Sequence, residues 1–273
     1  VMISRLGYIK RVSVEKYKKQ GRGGTGSNGT NLLEDDYVNQ LFIGSTKEHL
    51  LFITNIGKAY WVKVHEIPEA SKASRGTHIK SMIAIGADEE ITTVVTLKEF
   101  SDEQYLFMTT MNGVVKKVKT SEFSNAKTRG IIGLKLNAGD KLISAIPTDG
   151  NSEVLLVSRR GKALRFTEED VRSMGRASCG IKGLKLAEGD EVAGAIKVIP
   201  DESILLLTEK GYGKRVHFED FKPHGRGTGG QRIFGNIEER GEIIGLLTVK
   251  DKDEIIAMTS QGKTLRVTAD TIN

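Results

Sequence analysis

Hydrophobic residues along this chain fall into short runs, each closed by a Ser/Thr-x-x-Gly signal and followed by a second apolar stretch. The sharpest case is Glu153-Val-Leu-Leu-Val-Ser-Arg-Arg-Gly-Lys-Ala-Leu-Arg-Phe166. Residues 154–157 predict one strand, 158–161 a turn, and Ala163, Leu164 and Phe166 a returning strand. Gly161 suits a turn position at positive φ, where a Cβ brings strain, and the Ser158 hydroxyl can bond local backbone. The unit recurs as Ser4-x-x-Gly7, Thr54-x-x-Gly57, Thr110-x-x-Gly113, Thr208-x-x-Gly211 and Thr259-x-x-Gly262. Six hairpins result, with glycine-to-glycine steps of 50, 56, 48, 50 and 51 residues.

A second glycine travels with the first, at Gly26, Gly76, Gly130, Gly180 and Gly230, 17 or 19 residues after each turn glycine. Gly130-Ile-Ile-Gly-Leu-Lys-Leu-Asn-Ala-Gly-Asp140 and Gly180-Ile-Lys-Gly-Leu-Lys-Leu-Ala-Glu-Gly-Asp190 are nearly the same string. Self-similarity at this period predicts an all-β, propeller-like array with one small sheet per repeat. The expectation is one domain over residues 1–273. Helical periodicity is weak, with at most a turn at 168–174. Residues 17–29 are the most glycine-dense stretch and read as a loop. The sixth repeat starts at Glu254 and reaches Asn273 before its second glycine, so its outer part is expected to be missing or supplied by another segment. The start at Val1-Met-Ile-Ser4, beside a turn, suggests a fragment of something longer.

Composition narrows the picture. With 38% hydrophobic and 28% charged residues the chain can bury a core, and 31 glycines against 4 prolines fit many tight turns. One cysteine, Cys179, excludes an internal disulfide and, with no secretory signal, leads us to expect a cytoplasmic location. No apolar run approaches a bilayer span, so no membrane partner is expected. The net charge of +6 favours an anionic partner.

That charge is periodic. The fourth residue after the turn glycine is Arg11, Lys117, Arg165, Arg215 and Arg266 in five repeats, with Trp61 the exception. Lys10, Lys116 and Lys214 stand one place earlier. Cations also gather before the second glycine, as Lys18, Lys19 and Arg22, Lys72 and Arg75, Lys127 and Arg129, Arg172 and Arg176, and Lys222 and Arg226. Repetition about an axis would line these up as a curved cationic rim, which meets duplex phosphates in series without reading bases. An aromatic content of 6% argues against a single-strand stacking platform.

Catalytic and ligand motifs do not assemble. Both glycine-rich loops satisfy G-x-G-x-x-G (Gly21, Gly23, Gly26 and Gly225, Gly227, Gly230), but neither has the buried strand before it and helix after it that a dinucleotide fold requires. His49, His65, His78, His217 and His224 show no metal-ligand spacing. Cys179 reads as a packed residue, and no metal site is expected.

Met2-Ile-Ser-Arg-Leu-Gly-Tyr-Ile-Lys-Arg-Val12 followed by Gln20-Gly-Arg-Gly-Gly-Thr-Gly26 resembles the start of the C-terminal domain of the gyrase A protein of bacterial DNA gyrase. The heptapeptide is similar to that family's Gln-x-Arg-Gly-Gly-basic-Gly box, with Gly21 and Thr25 standing where basic residues are common. The resemblance implies a six-bladed β-pinwheel of about four strands per blade, whose neighbours exchange strands, and which wraps duplex DNA for strand passage. It gives the box Gln20, Gly21, Arg22, Gly23, Gly24, Thr25 and Gly26 a DNA-binding role, and the repeat positions add Lys10, Arg11, Lys18, Lys19, Lys116, Lys117, Arg129, Arg165, Arg176, Lys214, Arg215, Arg226 and Arg266 as rim contacts; the family also implies a nucleoid-associated location. It also implies the gyrase A cleavage domain and gyrase B as partners. No cofactor is expected in this domain, since ATP and Mg serve elsewhere in the holoenzyme, and no catalytic residue is expected either. The rival readings are a topoisomerase IV-type C-terminal domain, which usually lacks the box, and a protein-interaction propeller.

Overall fold

The hairpin at Glu153 shows how the pattern becomes structure. In a computed structural model, which describes residues 1–13, 36, 38–71, 74–258 and 264–272, strands Glu153–Ser158 and Lys162–Thr167 pair antiparallel, with Leu156 opposite Leu164. The turn is closed by Gly161 N donating to Ser158 O at 3.1 Å and Lys162 N donating to Ser158 Oγ at 3.1 Å. Tyr8 N on Ser4 Oγ, Val114 N on Thr110 Oγ1 and Tyr212 N on Thr208 Oγ1, all at 3.1 Å, repeat the second bond, so the Ser/Thr signal is a backbone cap. Gly161 has φ +85°, and a Cβ there would stand 2.4 Å from Phe234 O, so strain and close approach both demand glycine.

Six antiparallel sheets of this kind follow in sequence order. The first four have four strands. Among the described residues the fifth has three (Ser203–Thr208, Gly213–His217, Ile243–Val249) and the sixth has two (Glu254–Met258, Thr264–Thr268). The expected all-β plan with a sheet per repeat is met, with full four-stranded blades in the first four repeats. The one α-helix among the described residues is the single turn Ile237–Arg240, and no helix among them is long and apolar enough to cross a membrane.

Neighbouring repeats exchange strands, as the resemblance implied. The fourth sheet runs Val192–Lys197, Glu153–Ser158, Lys162–Thr167, Gln231–Arg232, and its last strand comes from the fifth repeat, directly after Gly230. Ile181–Lys182, after Gly180, likewise pairs with Val114–Lys119, and Thr77–His78, after Gly76, pairs with Tyr8–Lys10. The second glycine therefore marks where the chain meets the preceding sheet. At Gly180 (φ +83°) a Cβ would stand 2.6 Å from Val115 O.

The chain resolves into two compact units. The first comprises Val1–Thr54, Lys58–Phe100 and Phe123–Ile131, with a core that includes Ile3, Ile9, Leu50, Phe52 and Tyr60. The second comprises Asn55–Gly57, Ser101–Glu122 and Ile132–Asn273. Its strand 153–158 is buried on both faces. Val154 and Leu156 enter one cluster with Phe107, Val115 and Phe166, whereas Leu155 and Val157 enter another with Ile204, Leu206 and Phe218. Alternate side chains thus serve two neighbouring sheets, which is why this strand reads as an unbroken apolar run.

Candidate nucleic-acid interface

The position four residues after the turn glycine is an internal seam. From the second repeat on, the second strand is followed by a 3₁₀ turn, at Val64–Glu66, Thr120–Phe123, Glu168–Asp170, Phe218–Asp220 and Ala269–Thr271. In the first four repeats the residue at this position donates to the 3₁₀ turn of the next repeat or its capping residue. Arg11 Nε reaches Ile67 O at 3.2 Å, Lys117 Nζ reaches Glu168 O at 2.9 Å, and Arg165 Nη1 reaches Phe218 O at 2.8 Å. Trp61 Nε1 reaches Phe123 O at 3.1 Å. Trp61 is therefore no exception: what recurs is an N–H donor, which arginine, lysine and indole all supply. Lys117 is only 7% exposed, and Arg165 also forks onto Glu153.

The residue one place earlier is buried more deeply still. Lys116 is 0% exposed, and its ammonium donates to Gly133 O (3.0 Å), Arg176 O (2.6 Å) and Ser178 O (2.9 Å). Lys10, 2% exposed, donates to Ser74 O at 2.8 Å and Ser71 O at 3.4 Å. Burial pushes the Lys116 ammonium down to about 8, with Cys179 and Glu122 opposing the drop and Arg176 adding to it. Burial lowers Lys10 as well. The expectation that Lys10, Lys116 and Lys117 contact DNA is thereby corrected, because phosphate cannot reach ammonium groups enclosed by protein carbonyls. Arg11, Arg165 and Arg215 are half-buried and engaged by Glu69, Glu153 and Asp251, so these too face the protein first. Lys214 Nζ donates to Ile233 O at 2.7 Å, and the exposed Arg266 pairs with Glu254.

Among the described residues, most cations before the second glycine lie in the open. In sequence the stretches 17–25, 71–75, 124–129, 172–179 and 222–229 each hold two or three Lys or Arg and no Asp or Glu. Arg75, Lys127, Arg129, Arg172, Lys222 and Arg226 are exposed, whereas Arg176 is half-buried and paired with Glu122 at 3.3 Å. Two of these stretches, 172–179 and 222–229, are laced to the exchanged segment of the repeat before. Arg176 Nη1 donates to Ile132 O and Arg226 Nη1 to Lys182 O, at 3.3 and 3.1 Å. Lys135 N donates to Ser178 O at 3.2 Å, and Lys185 N to Thr228 O at 2.9 Å. The box residues Gln20–Gly26, with Lys18, Lys19 and Lys72, lie outside the described residues. In sequence Arg22 precedes its second glycine by four residues, as do Arg176 and Arg226.

Two features escaped sequence reasoning. Glu168 is fully buried, where it accepts from Thr148 Oγ1, Gly150 N and Ser152 N and lies 3.9 Å from Lys117 Nζ. The one available signal was a glutamate at a position occupied by Val64, Thr120 and Phe218 in other repeats. The second is the complete absence of carboxylates from the five loops, which was countable in the sequence.

Comparison with known proteins gives this arrangement a family. The model of the DNA gyrase C-terminal domain, a β-propeller, matches residues 1–45, 48–98, 104–149, 152–199, 202–250 and 253–273, one segment per repeat. The chain belongs to the DNA gyrase C-terminal domain family. It is 60% identical over 267 residues to the DNA gyrase A protein of Treponema pallidum and 49% identical over 272 residues to that of Brachyspira hyodysenteriae. These alignments cover 98% and 100% of this chain but 33% of each relative, so the chain spans about a third of the curated relatives it matches. Among solved structures, a DNA gyrase A C-terminal domain matches with TM-score 0.78 at 30% identity, covering 98% of this chain and 88% of that one. The C-terminal domain of DNA topoisomerase IV matches with TM-score 0.82 at 28% identity, covering 100% of this chain and 84% of that one. In this gyrase C-terminal domain, the 3₁₀-turn seam and the exposed loops divide the repeat's cations into two classes.

Proposed function

We propose that this chain binds duplex DNA along its basic loops and bends it, acting as the non-catalytic, DNA-wrapping domain of a gyrase A protein. The observation that carries the reading is the set of acid-free basic loops at one repeat position. Phosphates would meet cations in each loop, with no carboxylate within the loops to repel them. Arg129, Arg172, Lys222 and Arg226 are the contacts we assign, together with box residues Gln20, Arg22, Gly23, Gly24 and Gly26 by family resemblance. Lys18 and Lys19 belong to the same loop as the box. Bending 20–30 bp by 40–90° costs on the order of 1–6 kcal/mol, which several charge-assisted phosphate contacts offset. Wrapped in this way, a segment is presented to the cleavage domain for passage, and gyrase B supplies ATP hydrolysis. Residues 1–273 act as one domain in this reading.

Salt titration tests it. Meeting 6–10 phosphates predicts a loss of roughly 10³–10⁵ in duplex affinity between 50 and 200 mM salt. An affinity that hardly changes over that range would overturn the proposal and favour a protein-binding propeller.

A further inference from the structure

Lys116 is an odd choice for its position. Its ammonium is enclosed and bonded only to backbone carbonyls. Three donors meet three acceptors, so hydrogen bonding is satisfied, but the charge is taken out of water without a bonded carboxylate, which is costly. The fold does not require it, because Leu164 fills the equivalent place in the fourth repeat and is fully buried there.

What Lys116 supplies that leucine cannot is a direction for the loop. Two of its three acceptors, Arg176 O and Ser178 O, belong to the basic loop 172–179. A carbonyl oxygen is the negative end of the peptide dipole. Drawing two of them inward removes partial negative charge from the outer surface, where Arg172 is exposed. It also fixes the backbone from which Arg176 projects. Lys10 does the same in the first unit, where its ammonium binds Ser71 O and Ser74 O of loop 71–75. Two repeats therefore share one device: a buried lysine beneath the loop, with the loop carbonyls turned onto it.

We infer that Lys116 is a positioning residue for duplex DNA, holding loop 172–179 with its carbonyls inward and its cations outward, without touching phosphate itself. This rests on the DNA-binding reading above. The charged and titratable groups around the ammonium are Cys179, Arg176 and Glu122. Its protonation state matters, because a neutral amine has two N–H donors for three carbonyls and leaves one unsatisfied.

The test compares wild type with Lys116→Met and with Lys116→Leu, which copies the fourth repeat. Melting temperature is measured first, then bending of an end-labelled duplex by energy transfer. We expect melting temperatures no lower than wild type and bending affinity at pH 7 reduced about fivefold, the worth of one ordering interaction. We also expect wild-type affinity to fall from pH 7 to 9, in a Cys179→Ala background that removes the thiol, with the Lys116 variants flat over the same range. Bending equal to wild type in both variants would overturn the inference. So would a flat wild-type pH profile, which needs no variant at Lys116 to fold. Failure of the wild type to bind duplex in a salt-dependent manner would instead sink the reading on which this one rests.

Discussion

At the scale of single residues, a cation's place in the repeat decides its work. Arg165 and Arg226 are both arginines that donate to backbone carbonyls, yet one is half-buried and the other exposed. Replacing Arg165 with leucine strips donors from Phe218 O and leaves Glu153 unpaired, so we expect a loss of about 1.5–3 kcal/mol in urea unfolding. Replacing Arg226 with alanine should change stability by less than about 0.5 kcal/mol. It should instead lower the salt slope of DNA binding by about one. Lys116 adds a pH effect whose sign follows from its lowered pKa. The unfolded lysine keeps its proton up to the ordinary 10.5, while the folded one releases it near 8. Between those values the unfolded state binds more protons, so stability should rise with pH there, and Lys116→Met should abolish that rise in denaturation series from pH 7.5 to 10. None of this division was legible in the sequence. Lys116 and its acceptor at Arg176 are 60 residues apart, and a backbone carbonyl carries no side-chain signature. Trp61 showed the difficulty in reverse, looking like a broken charge pattern while keeping the donor pattern intact.

At the scale of elements, the hairpins were legible because their turn chemistry is local. Ser158 and Gly161 announce the turn through bonds only three and four residues long. The reason for the second glycine was not legible, since it depends on the preceding sheet's backbone passing close by. A comparison of glycines separates conformation from contact. Gly161 and Gly211 have nearly the same φ, +85° and +84°, but a Cβ at Gly211 meets nothing within 4 Å among the described residues. Gly211→Ala should therefore cost only the strain of positive φ, on the order of 1–3 kcal/mol. Gly161→Ala must also push aside Phe234 O and should cost clearly more. Equal losses of melting temperature in the two variants would mean that the exchanged segment does not press on the turn.

At the scale of the whole molecule, the repeat period was enough to anticipate sheets in series, because each repeat reuses one turn, one crossing glycine and one basic loop. The box was recognisable as a string, but its geometry lies outside the described residues, so its part in the site rests on family resemblance and on Arg22 sharing a repeat position with Arg176 and Arg226. If the loops act together, their effects should accumulate. Neutralising Arg129, Arg172, Lys222 and Arg226 to glutamine together should lower the salt slope by about four, with the fold unchanged by circular dichroism.

Ligation of nicked circular DNA in the presence of the chain tests the central claim most directly. Wrapping on the basic loops predicts a shift in the linking number of the closed circles that grows with protein, shrinks with salt and disappears in the quadruple variant. A topoisomer distribution identical to that of protein-free circles, at a salt concentration where the duplex is bound, would contradict the account.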